Sequence, residues 1–151
     1  MIVVNSIGEL RKVIRQRIEE QGLNCNLNDI DVSRVDDMSS LFAWSKFDGD
    51  ISEWDVSNVK NMNAMFMGSK FSGDISKWDV SNVEDMNSMF THTSFNSDIS
   101  NWNVSKVENM SWMFSNSKFT GDISRWSVGR GVDMRDMFED SPLEFIEPSW
   151  F

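Results

Sequence analysis

The hexapeptide Trp54-Asp55-Val56-Ser57-Asn58-Val59 returns almost letter for letter 24 residues later as Trp78-Asp79-Val80-Ser81-Asn82-Val83. It returns again from Trp102 and, more loosely, from Trp126. A fixed period of this size predicts a solenoid of stacked, near-identical turns, none of which can bury its apolar side alone. Aligned at that period, the chain resolves into columns. Trp54, Trp78, Trp102 and Trp126 form one, and Phe42, Phe66, Phe90, Phe114 and Phe138 another. Phe47, Phe71, Phe95 and Phe119 form a third, with Leu143 in its last place, and Ile51, Ile75, Ile99 and Ile123 a fourth. Nearly all the methionines fall in two further columns, beginning at Met38 and Leu41. Methionine recurring in register beside phenylalanine reads as core filling, not as a metal or peptide site.

Ahead of the repeats, Met1-Ile2-Val3-Val4 is a short strand candidate, and Ser6 with Glu9 has the capping-box spacing. Ile7, Leu10, Ile14 and Ile18 then share one stripe of a helix running to about Gln21, stopped by Gly22. That helix is expected to cap the open end of the array. The domain reading is therefore a strand and helix cap over 1–26, repeats over 27–140 and a non-repeating C-terminal cap over 141–151. Within each repeat, Ser33, Ser81 and Ser105 stand three residues before Asp36, Glu84 and Glu108, which predicts a short capped helix or 3₁₀ turn into the Met-rich segment. A short strand is expected near Asp-Ile-Ser, so that stacked copies make a parallel sheet.

The chain carries a net charge of −10, distributed unevenly. Arg11, Lys12, Arg15 and Arg17 leave the first segment slightly positive against Glu9, Glu19 and Glu20, so the excess of acid lies in the repeats. Such a surface disfavours nucleic acid and anionic membranes and favours basic partners. The single cysteine, Cys25, excludes an intrachain disulfide. The apolar start ends at Asn5 without the pattern of a secretory leader, and the expected location is cytoplasmic.

The repeated Asp-Ile-Ser-x-Trp-Asp-Val-Ser-Asn-Val-x-x-Met-x-x-Met-Phe signature resembles that of the BspA-like leucine-rich-repeat proteins over about residues 27–140. The resemblance implies an α/β solenoid: a leucine-rich-repeat-like array of about five 24-residue turns, a parallel sheet on one face and the N-terminal capping helix. It also implies non-enzymatic binding or adhesion of the kind described for surface or lipoprotein-like members. Aligned to the pattern L-x-L-x-x-N-x-L, Gly49, Ile51, Trp54 and Val56 point inward and Asp50, Ser52 and Glu53 outward from the strand.

Two outward columns then matter for recognition. Asp50, Asp74, Asp98 and Asp122 are constant, which suits upkeep of every turn through serine and turn N–H groups better than recognition, although a cation or basic peptide is the functional alternative. Glu53, Lys77, Asn101 and Arg125 vary, and variation among copies points to a partner-binding face. Trp44, Trp112 and His92 interrupt columns otherwise holding small or polar residues, and solvent-facing tryptophans are plausible anchors. Catalysis has little foothold: His92 is the sole histidine, Cys25 precedes the array, and no phosphate loop or dinucleotide fingerprint occurs. The expectation is a protein-binding module that is not an enzyme and needs no cofactor or metal. Its partner is another protein, basic in character, with no direct nucleic acid or membrane contact. An acidic nucleic-acid mimic of the phage-inhibitor type and a cell-surface adhesin fragment are the alternatives. The apolar C-terminal end equally suits an end-to-end homodimer.

Overall fold

The structure, a computed structural model, describes residues 1–151. Strand β1 (Ile2–Val3) is followed by helix α1 (Ile7–Gln21) and strand β2 (Ile30–Asp31), and β1 and β2 pair in parallel with Ile2 opposite Ile30. The helix starts where Ser6, in extended backbone, accepts a hydrogen bond from the Glu9 N–H at 3.2 Å. The Glu9 carboxylate reaches back to the Asn5 N–H at 2.7 Å, one residue before the group a capping box would use. Gly22, at φ 88°, donates to the Ile18 carbonyl and ends the helix. Leu10 and Ile14 are its buried positions.

The leucine-rich-repeat-like α/β solenoid of about five turns with a parallel sheet on one face does not form. Beyond α1 and the two-residue pair, the chain is turns and irregular backbone, and the 24-residue copies touch through isolated single-residue bridges such as Asp37–Asn61, Asn61–Asp85 and Asp85–Asn109. Two local causes account for the difference. At Asp-Ile-Ser, the aspartate side chain takes the backbone donor that a strand would have used: Ser52, Ser76, Ser100 and Ser124 donate their N–H groups to Asp50, Asp74, Asp98 and Asp122 at 2.9–3.0 Å. These are Asx turns, and a tight turn closes at each, with Trp54 donating to Ile51 and so on down the column.

The capped helical turn expected in the Met-rich segment is absent for a different reason. Two residues of every copy lie in the left-handed region: Ser40 and Trp44, Ala64 and Gly68, Ser88 and His92, Trp112 and Asn116, Asp136 and Asp140. Positive φ at every fourth residue cannot propagate a right-handed helix. The segment becomes a ribbon of consecutive turns, in which the Leu41 and Ser45 N–H groups return to the carbonyls of Met38 and Phe42. The alternate N–H groups of Met38, Ser40, Phe42 and Trp44 point at the next copy and donate to Asn61, Asn63, Met65 and Met67 at 2.7–2.9 Å.

Between these turns the apolar columns fill one continuous core that runs from Val4 to Leu143. Its phenylalanines stack copy on copy, with ring centroids 5.7 Å apart for Phe42 and Phe66 and 5.8 Å for Phe66 and Phe90. Gly49, Ile51, Trp54 and Val56 face this core while Asp50 and Glu53 face solvent. The sides expected of them therefore hold, although a turn and not a strand presents them. The last eleven residues are not free of the repeat either. Trp150 takes the fifth place of the tryptophan column, its ring 6.2 Å from that of Trp126.

Candidate interaction surface

The ribbon of turns carries the most exposed large aromatic side chains of the repeat region. Trp44 and Trp112 are 65% and 38% exposed. Both stand at left-handed positions, φ 56° and 53°. Trp44 is held in place by the copy that follows. Its ring lies over Gly68, where an added Cβ would come within 2.1 Å of Trp44 Cε3. Past that glycine it reaches His92, two copies along, with 6.1 Å between ring centroids. Gly68, itself at φ 64°, thus supplies both the backbone conformation and the gap through which the two rings meet.

Trp112 belongs to a later copy, in the column of Ala64 and Ser88, which stands four residues before the column of Trp44. The Arg135 guanidinium lies 6.0 Å from its ring centroid and is fixed in turn by the Asp133 carboxylate. That pairing holds Asp133 below, and Arg135 above, its ordinary pKa, with the side-chain hydrogen bond as the largest cause in each case. Thr91 donates its hydroxyl to the Trp112 carbonyl, which ties this position to the copy before it.

The varied column takes a separate edge. Glu53, Lys77, Asn101 and Arg125 are all exposed, but no sheet face carries them; they sit in the turns that follow the aspartate column. Asn101 and Arg125 border an open groove of about 280 Å³ with Ser100 and Ser127. Glu53 and Lys77 enclose a much smaller one of about 50 Å³ with Ser52 and Asp74. The structure does not bring this column together with Trp44, His92 and Trp112 into one pocket.

The aspartate column has a visible local task. Asp74, Asp98 and Asp122 are held below the usual carboxylate range first by the hydroxyl of the serine two residues on and then by its N–H; for Asp50 the Ser52 N–H leads. Repulsion from the next aspartate is the weakest of the influences on Asp74 and Asp98. Local hydrogen bonding therefore outweighs the like-charge ladder. No three of the His, Cys, Asp and Glu side chains converge as a metal site would require. Cys25 is buried, and burial pushes its thiol pKa up, away from the thiolate a nucleophile needs.

A further feature lies at the last junction, where Gly129, Arg130 and Gly131 break the repeat. Gly131 replaces the valine of Val59, Val83 and Val107, and an open groove of about 690 Å³ forms there, lined by Lys106, Glu108, Arg130 and Val132 among others. The signal was present as a broken column.

Residues 9–116 and 46–145 each match the family described as a Mycoplasma protein of unknown function, DUF285. The chain belongs to that family. Either match alone covers more than half of its length; the first includes Trp44, His92 and Trp112, and the second begins just after Trp44 and includes the other two. The family description carries no statement about leucine-rich repeats or a partner. No curated protein and no solved structure matches the chain. No helix is long and apolar enough to cross a membrane.

Proposed function

We propose that this member of the DUF285 family is a non-enzymatic protein-binding module that engages its partner along the outer edge of the turn ribbon, around Trp44, His92 and Trp112. The observation that carries the reading is the Trp44 ring, 65% exposed yet held across Gly68 against His92. A large aromatic surface pre-ordered in solvent loses little rotamer freedom on binding, which is what an interface anchor requires. Arg135 over Trp112 supplies the kind of aromatic and arginine pairing that interfaces favour. A second protein is the partner class, and a cytoplasmic location is part of the proposal, supported by the one free, buried cysteine.

The test is affinity capture from the source cell with the wild type, Trp44→Ala and Trp112→Ala, at low and high salt. A discrete partner kept by the wild type in high salt and lost by both variants supports the reading. A partner held equally by all three sinks it. The acidic mimic of nucleic acid draws less support, since each aspartate of the ladder already accepts from a serine N–H. Capture of basic nucleic-acid enzymes alone, released by salt, would favour the mimic.

A further inference from the structure

Along the middle of each ribbon the alternate N–H groups all donate one way, while residues at its flanks, such as Lys60 and Lys70, donate in the opposite sense to the carbonyls of Asp36 and Ser45. At each junction four N–H groups donate toward the C-terminal neighbour, from Met38, Ser40, Phe42 and Trp44 at the first to Met110, Trp112, Phe114 and Asn116 at the last. The acceptors at that last junction are the carbonyls of Asp133, Arg135, Met137 and Glu139. A stack with this polarity ends in carbonyls on one side and in N–H groups on the other. On the first ribbon the corresponding carbonyls belong to Asp37, Ser39, Leu41 and Ala43, and only that of Ser39 is engaged, by Arg11 at 2.8 Å. On the final ribbon the N–H groups of Met134, Asp136 and Phe138 have no hydrogen-bond partner, and that of Asp140 goes to the Glu144 carboxylate.

Charge follows the same polarity. The carbonyl end carries Arg11 and Arg15 on α1, which outnumber Glu19 on the rim of a groove of about 440 Å³ floored by Ile14, Ile18, Leu41 and Phe42. At the N–H end, residues 132–151 hold Asp133, Asp136, Glu139, Asp140, Glu144 and Glu147 against Arg135 alone. Between the last two acids stand Phe145 and Ile146, 88% and 69% exposed.

From this complementarity we infer that the chain associates head to tail with a second copy of itself, the Glu144-Phe145-Ile146-Glu147 end of one molecule seated in the α1 groove of the next. Acid meets arginine, exposed apolar side chains meet an apolar floor, and a donor end faces an acceptor end. A two-fold, tail-to-tail dimer is disfavoured by the same facts, because it sets N–H against N–H and acid against acid. Head-to-tail contacts do not close after two molecules and continue into chains unless the rotation makes a ring.

The test is sedimentation velocity with light scattering on the full chain over a wide concentration range. It uses the wild type, Arg11→Glu/Arg15→Glu at the head and Phe145→Ser/Ile146→Ser at the tail. Circular dichroism confirms folding of each, and Arg15→Glu alone replaces the double head variant if loss of the Ser39 contact unfolds it. The wild type is expected to grow past a dimer with concentration and to revert toward monomer between about 0.1 M and about 1 M salt, as the screening length falls from about 10 to about 3 Å. Each variant alone stays monomeric. Mixed in equal amounts, they form a species of two chains and no larger, through the one intact head and the one intact tail. A wild type that is monomeric throughout overturns the inference. So does a head variant that still dimerises alone, which is the signature of tail-to-tail contact.

Discussion

The indole N–H of Trp150 donates to the carbonyl of Ile123 at 2.8 Å. The same bond, across the same 27 residues, joins Trp54 to Leu27, Trp78 to Ile51, Trp102 to Ile75 and Trp126 to Ile99 at 2.9–3.1 Å. Tryptophan thus contributes more than bulk in this column, since its indole N–H is the second donor to a carbonyl that already closes a turn, and that N–H would otherwise be left without a partner there. Trp102→Phe is expected to cost about 1–3 kcal/mol, from one lost hydrogen bond and lost volume together, since the Ile75 carbonyl keeps the Trp78 N–H. Trp150→Phe, at the half-buried end, is expected to cost about 1–2 kcal/mol. Urea titration of both variants checks this. Equal midpoints for Trp150→Phe and the wild type would mean that the C-terminal residues do not stack as described.

What could be read from the sequence was the register, and what could not was the backbone. The 24-residue period places Phe42 over Phe66 and Trp54 over Trp78 because core columns must repeat. It also contains Trp150, which Pro142, Pro148 and the glutamate at position 147 disguise as part of an end cap. The left-handed residues left an uneven trace: in the column of Trp44, Gly68, His92, Asn116 and Asp140 all but the tryptophan are types that tolerate positive φ, whereas in the column of Ser40, Ala64, Ser88, Trp112 and Asp136 only the aspartate is. Ser33, Ser81 and Ser105, with an acid three residues on, imitate a helix start. Trp44 and His92 were each visible as column breakers. Their meeting was not, since it depends on a ribbon whose outer edge aligns every second copy across a glycine.

That dependence gives a second prediction. Gly68→Ala keeps a backbone conformation that Trp44, His92 and Asn116 tolerate in neighbouring copies, so the fold survives at a cost of about 1–2 kcal/mol. The added methyl group collides with the Trp44 ring, which is free to swing outward into solvent. The Trp44 indole resonance should move toward the solvent-exposed position in an NMR spectrum, and the His92 ring signals should shift with it. An unchanged Trp44 signal would show that the glycine does not set its orientation.

The Asx-turn aspartates make stability depend on pH in a defined direction. Asp50, Asp74, Asp98 and Asp122 have folded-state pKa values lowered by their serine partners. Their contribution is therefore complete above the unfolded value of about 3.9 and is lost as pH falls through the lower folded values. The urea midpoint should hold steady from neutral pH to about pH 5 and drop below about pH 4. Replacing all four by asparagine retains the acceptor, as Asn61 and Asn109 do at another corner of the repeat, where they accept from Asn63 and Ser111. That variant should show a shallower acid limb; an identical limb would place the acid sensitivity elsewhere.

Helix α1 is fastened to the first copy by Arg17, whose two terminal nitrogens meet the Asp29 carboxylate at 2.8 and 2.9 Å. One of them also donates to the Asn26 carbonyl at 3.3 Å. The Arg17 side chain is only 13% exposed, whereas that of Asp29 is 53% exposed, so solvent screens the charge more than it screens the hydrogen bonds. Arg17→Ala should cost about 1–2 kcal/mol, most of it from the lost bidentate and carbonyl bonds. Asp29→Ala should cost less, because Arg17 keeps the Asn26 carbonyl. A double-mutant cycle is expected to return a coupling of about 0.5–1 kcal/mol. Hydrogen exchange locates the effect: α1 amides should lose protection in Arg17→Ala while the Phe66 and Phe90 amides, deep in the stack, keep theirs. Protection lost evenly along the chain would mean that α1 unfolds only together with the whole array, and that Arg17 reports global stability in place of a local clasp.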